Sequence, residues 1–276
     1  MGPDWIAKLG GQFERDAQDR VIAVSLRATW ASDADIAALT AFGQLERLDL
    51  SRTRITDRAL FHLRNVRSLQ EVDLAFAEQV GDPAHAVIRD WKNLRRLNLR
   101  GTRVGDATAA AAGALTNLES LDLALTDVQD FGFEAISAAG GLKALALGGS
   151  RISEASLQFL RQMVKLELLD LSAPTAAIGF KGGMTLTDRS FNAIASLGKL
   201  KDLRLGYNRF PGRALAGLNP LERLGLEFCG GVGDEAVPRL AAWRGLKIVD
   251  LHGTKMTAKG VEELRQLRPD TDIRWE

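Results

Sequence analysis

The sequence has one cysteine, Cys229, in 276 residues. No disulfide can form within the chain, and a reducing, cytoplasmic setting is expected. It has no run of about 20 apolar residues, so no membrane-spanning helix is expected. The first residues, MGPDWIAKLGG, have no basic stretch leading into a long apolar core, so they do not read as a secretory signal. Neither sign of charge dominates: 36 Lys and Arg face 35 Asp and Glu. That balance argues against a general nucleic-acid or anionic-membrane surface.

The chain does have a period. An L-x-x-L-x-L unit begins at Val21, Leu45, Leu69, Leu94, Leu118, Leu142, Leu166, Leu200, Leu221 and Leu246. The spacing is 24 or 25 residues, apart from one of 34 and one of 21. Ile273 and Trp275 close the chain where a further unit would place its second and third leucines. Positions 4 and 6 of each unit alternate with polar residues and read as a short strand with one buried face. Position 11 is again apolar, as in Ile55, Val104 and Val128. Then comes a helix-start signature, Ser32-Asp33, Thr56-Asp57, Gly105-Asp106, Ser153-Glu154 or Thr187-Asp188, followed by apolar residues at helical spacing. One unit cannot bury its own apolar edges, whereas stacked units can.

Residues 21–276 therefore resemble the leucine-rich-repeat superfamily. TRITD at 53–57, SRISE at 150–154 and MTLTD at 184–188 look like its bacterial and ribonuclease-inhibitor-like long-repeat class. Phe228-Cys229 before VGDEAV is similar to the cysteine-containing repeats of F-box proteins. The turn position that carries Asn in the family is Thr at 29, 53, 102, 126 and 254, and Asn only at Asn208. The expected fold is α/β, a right-handed solenoid or horseshoe of about ten repeats, with a concave parallel sheet and convex helices. One structural domain is expected, with residues 1–20 as an N-terminal capping helix, 21–270 as the solenoid and 271–276 as a capping strand. The cap reading rests on Trp5, Ile6, Leu9 and Phe13, which suggest one amphipathic helix over residues 4–19.

Two units depart from the rule. The unit beginning at Leu200 is short, with Phe210-Pro211-Gly212 at the helix start, and only a helical turn is expected there. The unit beginning at Leu166 carries ten extra residues within 173–186, including Phe180. An insertion just after the strand is expected to form a loop beside the concave face, where function often resides. Its GFKGG lacks the spacing of a phosphate-binding loop.

The register specifies which side chains leave the concave face. Position 5 gives a row including Asp49, Asp73, Asp122, Asp170 and Asp250. Arg47, Arg96 and Arg100 flank it. Position 8 carries Phe76, Leu125, Tyr207 and Phe228, and aromatics beside arginines are typical of interaction hot spots. Glu227, His252 and Glu276 fall at position 7 on successive strands and read as a histidine held by carboxylates, or as a metal or ligand site. Cys229 reads as a turn or core thiol.

The expected function is a non-enzymatic scaffold without cofactor or bound metal. Its protein partner would contact Phe76, Arg96, Arg100, Asp122, Leu125, Phe180, Tyr207, Phe228 and His252, with neither nucleic acid nor membrane involved. The chain would act as a monomer or in a hetero-complex. Two alternatives stand: an effector or ubiquitin-ligase substrate-adaptor module of a larger protein, and a metal- or ligand-binding protein using the His252 cluster.

Overall fold

The computed structural model describes residues 2–173 and 183–276; the inserted segment, with Phe180, lies outside them. Two compact units divide the chain, residues 1–142 and 143–276. Both are built from the same turn of chain: a three-residue strand, a tight turn, a short helix and a return.

In the first unit, β1 (Gln12–Arg15), β2 (Val21–Ser25), β3 (Arg47–Asp49), β4 (Glu71–Asp73), β5 (Arg96–Asn98) and β6 (Ser120–Asp122) pair in chain order. β1 runs antiparallel to β2, and the remaining pairs are parallel. In the second, β7 (Ala144–Ala146), β8 (Leu168–Asp170), β9 (Asp202–Arg204), β10 (Arg223–Gly225), β11 (Ile248–Asp250) and β12 (Asp272–Arg274) are parallel throughout. Each register step equals one repeat, so Leu48, Val72, Leu97 and Leu121 stand in line. With positions 1, 6 and 11 they form the core between sheet and helices, and nearly all are fully buried.

Three polar ladders recur along the repeats; the first closes each turn on itself, and the other two tie neighbouring repeats together. At the turn, the hydroxyls of Thr53, Thr102 and Thr126 each donate to the leucine carbonyl three residues back, at 2.6 Å. At the helix start, the acidic residue does more than complement the helix dipole, because it accepts from the next repeat. The Thr56 N–H and hydroxyl donate to Asp33 at 2.8 and 2.6 Å, and those of Thr257 donate to Asp234 at 2.8 and 2.7 Å. Gly81 N–H reaches Asp57, Gly105 N–H reaches Asp82 and Gln129 N–H reaches Asp106. Against the opposing effect of burial, Thr108 with Gly105 holds the Asp82 carboxyl below its ordinary value, and the Thr257 N–H and hydroxyl hold that of Asp234 below it. On the return, Asn93, Asn117 and Asn219 amides donate to carbonyls of the preceding repeat.

The N-terminal segment differs from expectation. A helix covers only Asp4–Lys8, and the chain then turns into β1. Gly10 takes φ +83°, and a Cβ on Gly11 would lie 2.7 Å from the Ser25 carbonyl oxygen, so this pair permits a reversal that ends the helix. Asp16 then folds the hairpin by accepting the N–H groups of Gln18 and Arg20. The short repeat forms a 3₁₀ helix over Gly212–Gly217, in keeping with its missing helix start.

Candidate partner-binding surface

The helices pack on one face of each sheet and leave the other to solvent. In the first unit that face is polar. Asp49 accepts the hydroxyls of Ser25 and Ser51 at 3.2 and 2.6 Å. Asp73 accepts Ala75 N–H at 2.8 Å and the Asn98 amide at 3.1 Å. Burial, reinforced by the neighbouring Asp49 charge, raises the Asp73 carboxyl above its ordinary value. The arginines pair mainly with glutamates rather than with this central row. Arg47 meets Glu14 of β1 at 2.5 Å and Arg96 meets Glu71 at 2.7 Å, while Arg100 reaches Asp122 at 3.4 Å. Phe13, Glu14 and the faces of β2 to β6 line a groove of about 570 Å³.

Position 8 has a backbone role that the sequence pattern did not reveal. Ala28, Arg52, Phe76, Gly101, Leu125, Gly149, Tyr207, Phe228 and Gly253 all take positive φ, between 55° and 70°. In these nine repeats it is the left-handed residue that turns the chain out of the strand. It costs a non-glycine residue about 1–3 kcal/mol. The side chains at this position lie along the edge of the sheet. A Cβ on Gly101 would come within 2.6 Å of the Phe76 ring, and one on Gly253 within 2.4 Å of the Phe228 ring. Each ring therefore covers the glycine of the next repeat. Phe76 and Leu125 are half-buried, and the Arg52 guanidinium lies 5.3 Å over Phe76.

In the second unit, half-buried Tyr207 stacks on Phe228 with centroids 4.8 Å apart and planes at 22°. Phe228 remains 54% exposed. Next to this pair lies a charged floor. Arg204 forks onto Asp202 through Nε at 3.2 Å and Nη2 at 3.0 Å. His252 Nδ1 lies 2.6 Å from Asp250. The Glu227 carboxylate rests over Gly206 and Gly225, where a Cβ would meet it at 2.7 and 3.1 Å. Burial raises the Glu227 carboxyl, and Asp250 and Asp170 add to that while Arg204 opposes it. Among the described residues no group of three or more His, Cys, Asp or Glu converges to hold a metal. Cys229 is fully buried, and burial pushes its thiol up to about 12, which suits a core group donating to the Leu205 carbonyl.

The expected site residues thus divide between the two units. Phe76, Arg96, Arg100, Asp122 and Leu125 belong to the first unit, and Tyr207, Phe228 and His252 to the second. The sequence reading missed Trp30. It is 77% exposed, with the Arg54 guanidinium 4.8 Å over its ring. The available signal was an aromatic at a repeat position that is otherwise polar.

A segment of one repeat's length, residues 114–137, matches the family model described as Leucine Rich repeat. The chain has the leucine-rich-repeat fold. Solved leucine-rich-repeat structures resemble it at low identity. An internalin, InlF, from Listeria monocytogenes is 20% identical, with 87% of this chain and 70% of that one covered and a TM-score of 0.59. A leucine-rich-repeat protein of Leptospira interrogans is 22% identical, with 85% and 56% covered and a TM-score of 0.61. The ectodomain of the Arabidopsis receptor kinase HAESA, in complex with an extended IDA peptide hormone, is 18% identical, with 88% and 40% covered and a TM-score of 0.61. The chain thus spans little more than half of the Leptospira protein and less than half of the ectodomain. A comparison of the sequence with curated proteins finds no match. Among the described residues, no helix is long and apolar enough to cross a membrane.

Proposed function

We propose that this chain is a non-enzymatic scaffold that holds a protein partner against the helix-free face of its repeats. The observation that carries the reading is the stacked Tyr207–Phe228 pair, left half in water beside a charged floor. A folded chain gains by burying such rings, and a partner that covers Phe228 recovers roughly 2 kcal/mol or more, the range of an interface hot spot. His252 and Glu227 would supply polar contacts at its border. On the first unit, Arg96, Arg100 and Asp122 would face the partner, and Phe76 and Leu125 would form its edge. The peptide-bound state of the HAESA ectodomain supports a binding role for this fold, although fold alone does not specify function. Residues 1–20 and 271–276 would cap the two ends, and the expected setting is cytoplasmic.

The test is capture of a partner by immobilised wild type and by the Tyr207→Ala/Phe228→Ala double variant, with circular dichroism confirming that both are folded. The variant should lose about thirtyfold in affinity. Equal capture would remove the aromatic pair from the site.

A further inference from the structure

We propose that the edge of the first unit carries a second docking site, built for an extended, glutamate- or aspartate-rich segment of a partner protein. This site borders the sheet face at Phe76 and stands whether or not that face binds.

Two features of this edge set it apart. Trp91 and Trp243 are buried completely or nearly so, yet Trp30 has more exposed surface than any other large apolar side chain among the described residues. Its ring is covered on one side only, by the Arg54 guanidinium. On the sheet face of this unit, Arg47, Arg96 and Arg100 each have a carboxylate partner. On the edge, Arg52, Arg54 and Arg103 are exposed, and among the described residues none forms an ion pair. One carboxylate, Glu78, stands among them and leaves an excess of two positive charges. A depression of about 500 Å³ opens between Arg52, Arg54, Phe76, Glu78, Gln79 and Arg103. Two aromatic faces and three guanidinium forks, with Glu78 as the one carboxylate lining the depression, therefore lie along one strip.

The geometry favours a particular form of anion. Arg54 and Arg103 occupy the same repeat position two units apart, and β3, β4 and β5 are consecutive parallel neighbours. Two strand steps are about 10 Å. On one face of an extended peptide side chains recur about every 7 Å, and the long Glu and Arg side chains take up the remaining difference, so alternate carboxylates can meet both forks. One compact phosphate could meet only one of them. A nucleic-acid backbone would bring a denser line of charge past the carboxylates of this unit, in a chain whose net charge is only +1. Trp30, at the end of the row, would take an apolar or aromatic residue flanking the acidic run.

The test is fluorescence anisotropy with a labelled decapeptide of alternating Glu and Ser ending in Phe. A Lys-Ser counterpart and a deca-uridine oligonucleotide serve as comparison probes. Wild type should bind the acidic peptide, lose it as salt is raised, and ignore the other two. Arg54→Gln/Arg103→Gln and Trp30→Ala should each weaken binding about tenfold. Arg265→Gln, at an exposed helical position of the second unit, should leave it unchanged. All substituted side chains are exposed, and circular dichroism checks the fold. Equal binding by the double variant, tighter binding of the oligonucleotide, or no binding of the acidic peptide would each overturn the proposal.

Discussion

Asn208 should be one of the most costly polar side chains to remove, and the reason lies one repeat earlier. In an ordinary repeat the turn threonine serves the strand-exit carbonyl twice. Thr102 donates to the Leu99 carbonyl through N–H at 3.2 Å and through its hydroxyl at 2.6 Å. In the unit with the insertion that position is Pro174, a residue with neither an N–H nor a hydroxyl. The Leu171 carbonyl is served instead by the next repeat: the Asn208 amide donates to it at 2.8 Å and to the Leu205 carbonyl at 3.0 Å. The Asn208 Oδ1 accepts Met184 N–H at 2.8 Å, which anchors the far end of the insertion. The side chain is buried. Asn208→Ala strips the amide bonds from Leu171 C=O and Met184 N–H, while Leu205 C=O keeps the Asn208 N–H and the Cys229 thiol. An unpaired buried carbonyl costs about 1–3 kcal/mol and the half-buried Met184 N–H less, so a loss of about 2–3 kcal/mol is expected. Asn208→Thr can restore the bond within its own repeat but not the one to Leu171, and should recover about 1 kcal/mol or less. Equilibrium urea unfolding reads the loss, and hydrogen exchange at the Met184 amide locates it. A cost for Asn208→Ala below about 1 kcal/mol, or an Asn208→Thr variant equal to wild type, would refute the reasoning.

Other predictions concern the ladder at position 8, the acidic row and the thiol. Gly253→Val places a branched side chain at φ +63° and against the Phe228 ring, and should cost about 2–4 kcal/mol in thermal unfolding. The cost should shrink in a Phe228→Ala background, and an equal cost in both would show that the ring is not the obstacle. Asp73 has a raised carboxyl, so the native state holds its proton more tightly than the unfolded chain does. Its contribution to stability is present below the ordinary carboxylate value and is lost as pH rises through the raised one. Asp73→Asn should therefore gain stability relative to wild type between mildly acidic and neutral pH, with the gain vanishing in strong acid. A constant difference across that range would contradict the assignment. Cys229, buried and with its thiol pushed up to about 12, should resist a disulfide reagent at pH 8 until urea unfolds the chain; rapid labelling of the native protein would place it at the surface.

The repeat was legible because its signal recurs about ten times. Leu48, Val72, Leu97 and Leu121 obey one rule, and the structure sets them in one line. What happens once was harder to read. Trp5, Ile6, Leu9 and Phe13 fit a helical face, but Gly10-Gly11 and the Asp16 turn end the helix and start β1. Periodicity counts apolar residues and gives no weight to a backbone that can reverse. The same limit applies at position 8. Its side chains looked like a lip of hot-spot residues, yet the position is defined by positive φ, which Gly101 and Gly253 satisfy without strain and Phe76 and Phe228 satisfy at a cost. The acidic residues at the helix starts were read as local caps, whereas Asp33 and Asp234 bond the next repeat. Sequence offset alone could not reveal that, because it depends on how far one repeat rises over another. Trp30 fell outside the frame, and a search for pattern passes over the residues that break it.

The most direct test of the binding role is site-specific photocrosslinking. A photoreactive phenylalanine analogue would be placed in turn at Phe228 and Arg96 on the sheet side, and at Lys259 on the helix side. A partner should crosslink from Phe228 or Arg96 and not from Lys259. A partner that crosslinks from Lys259 alone would contradict that role, as would one captured by the intact chain that crosslinks from neither sheet-side position.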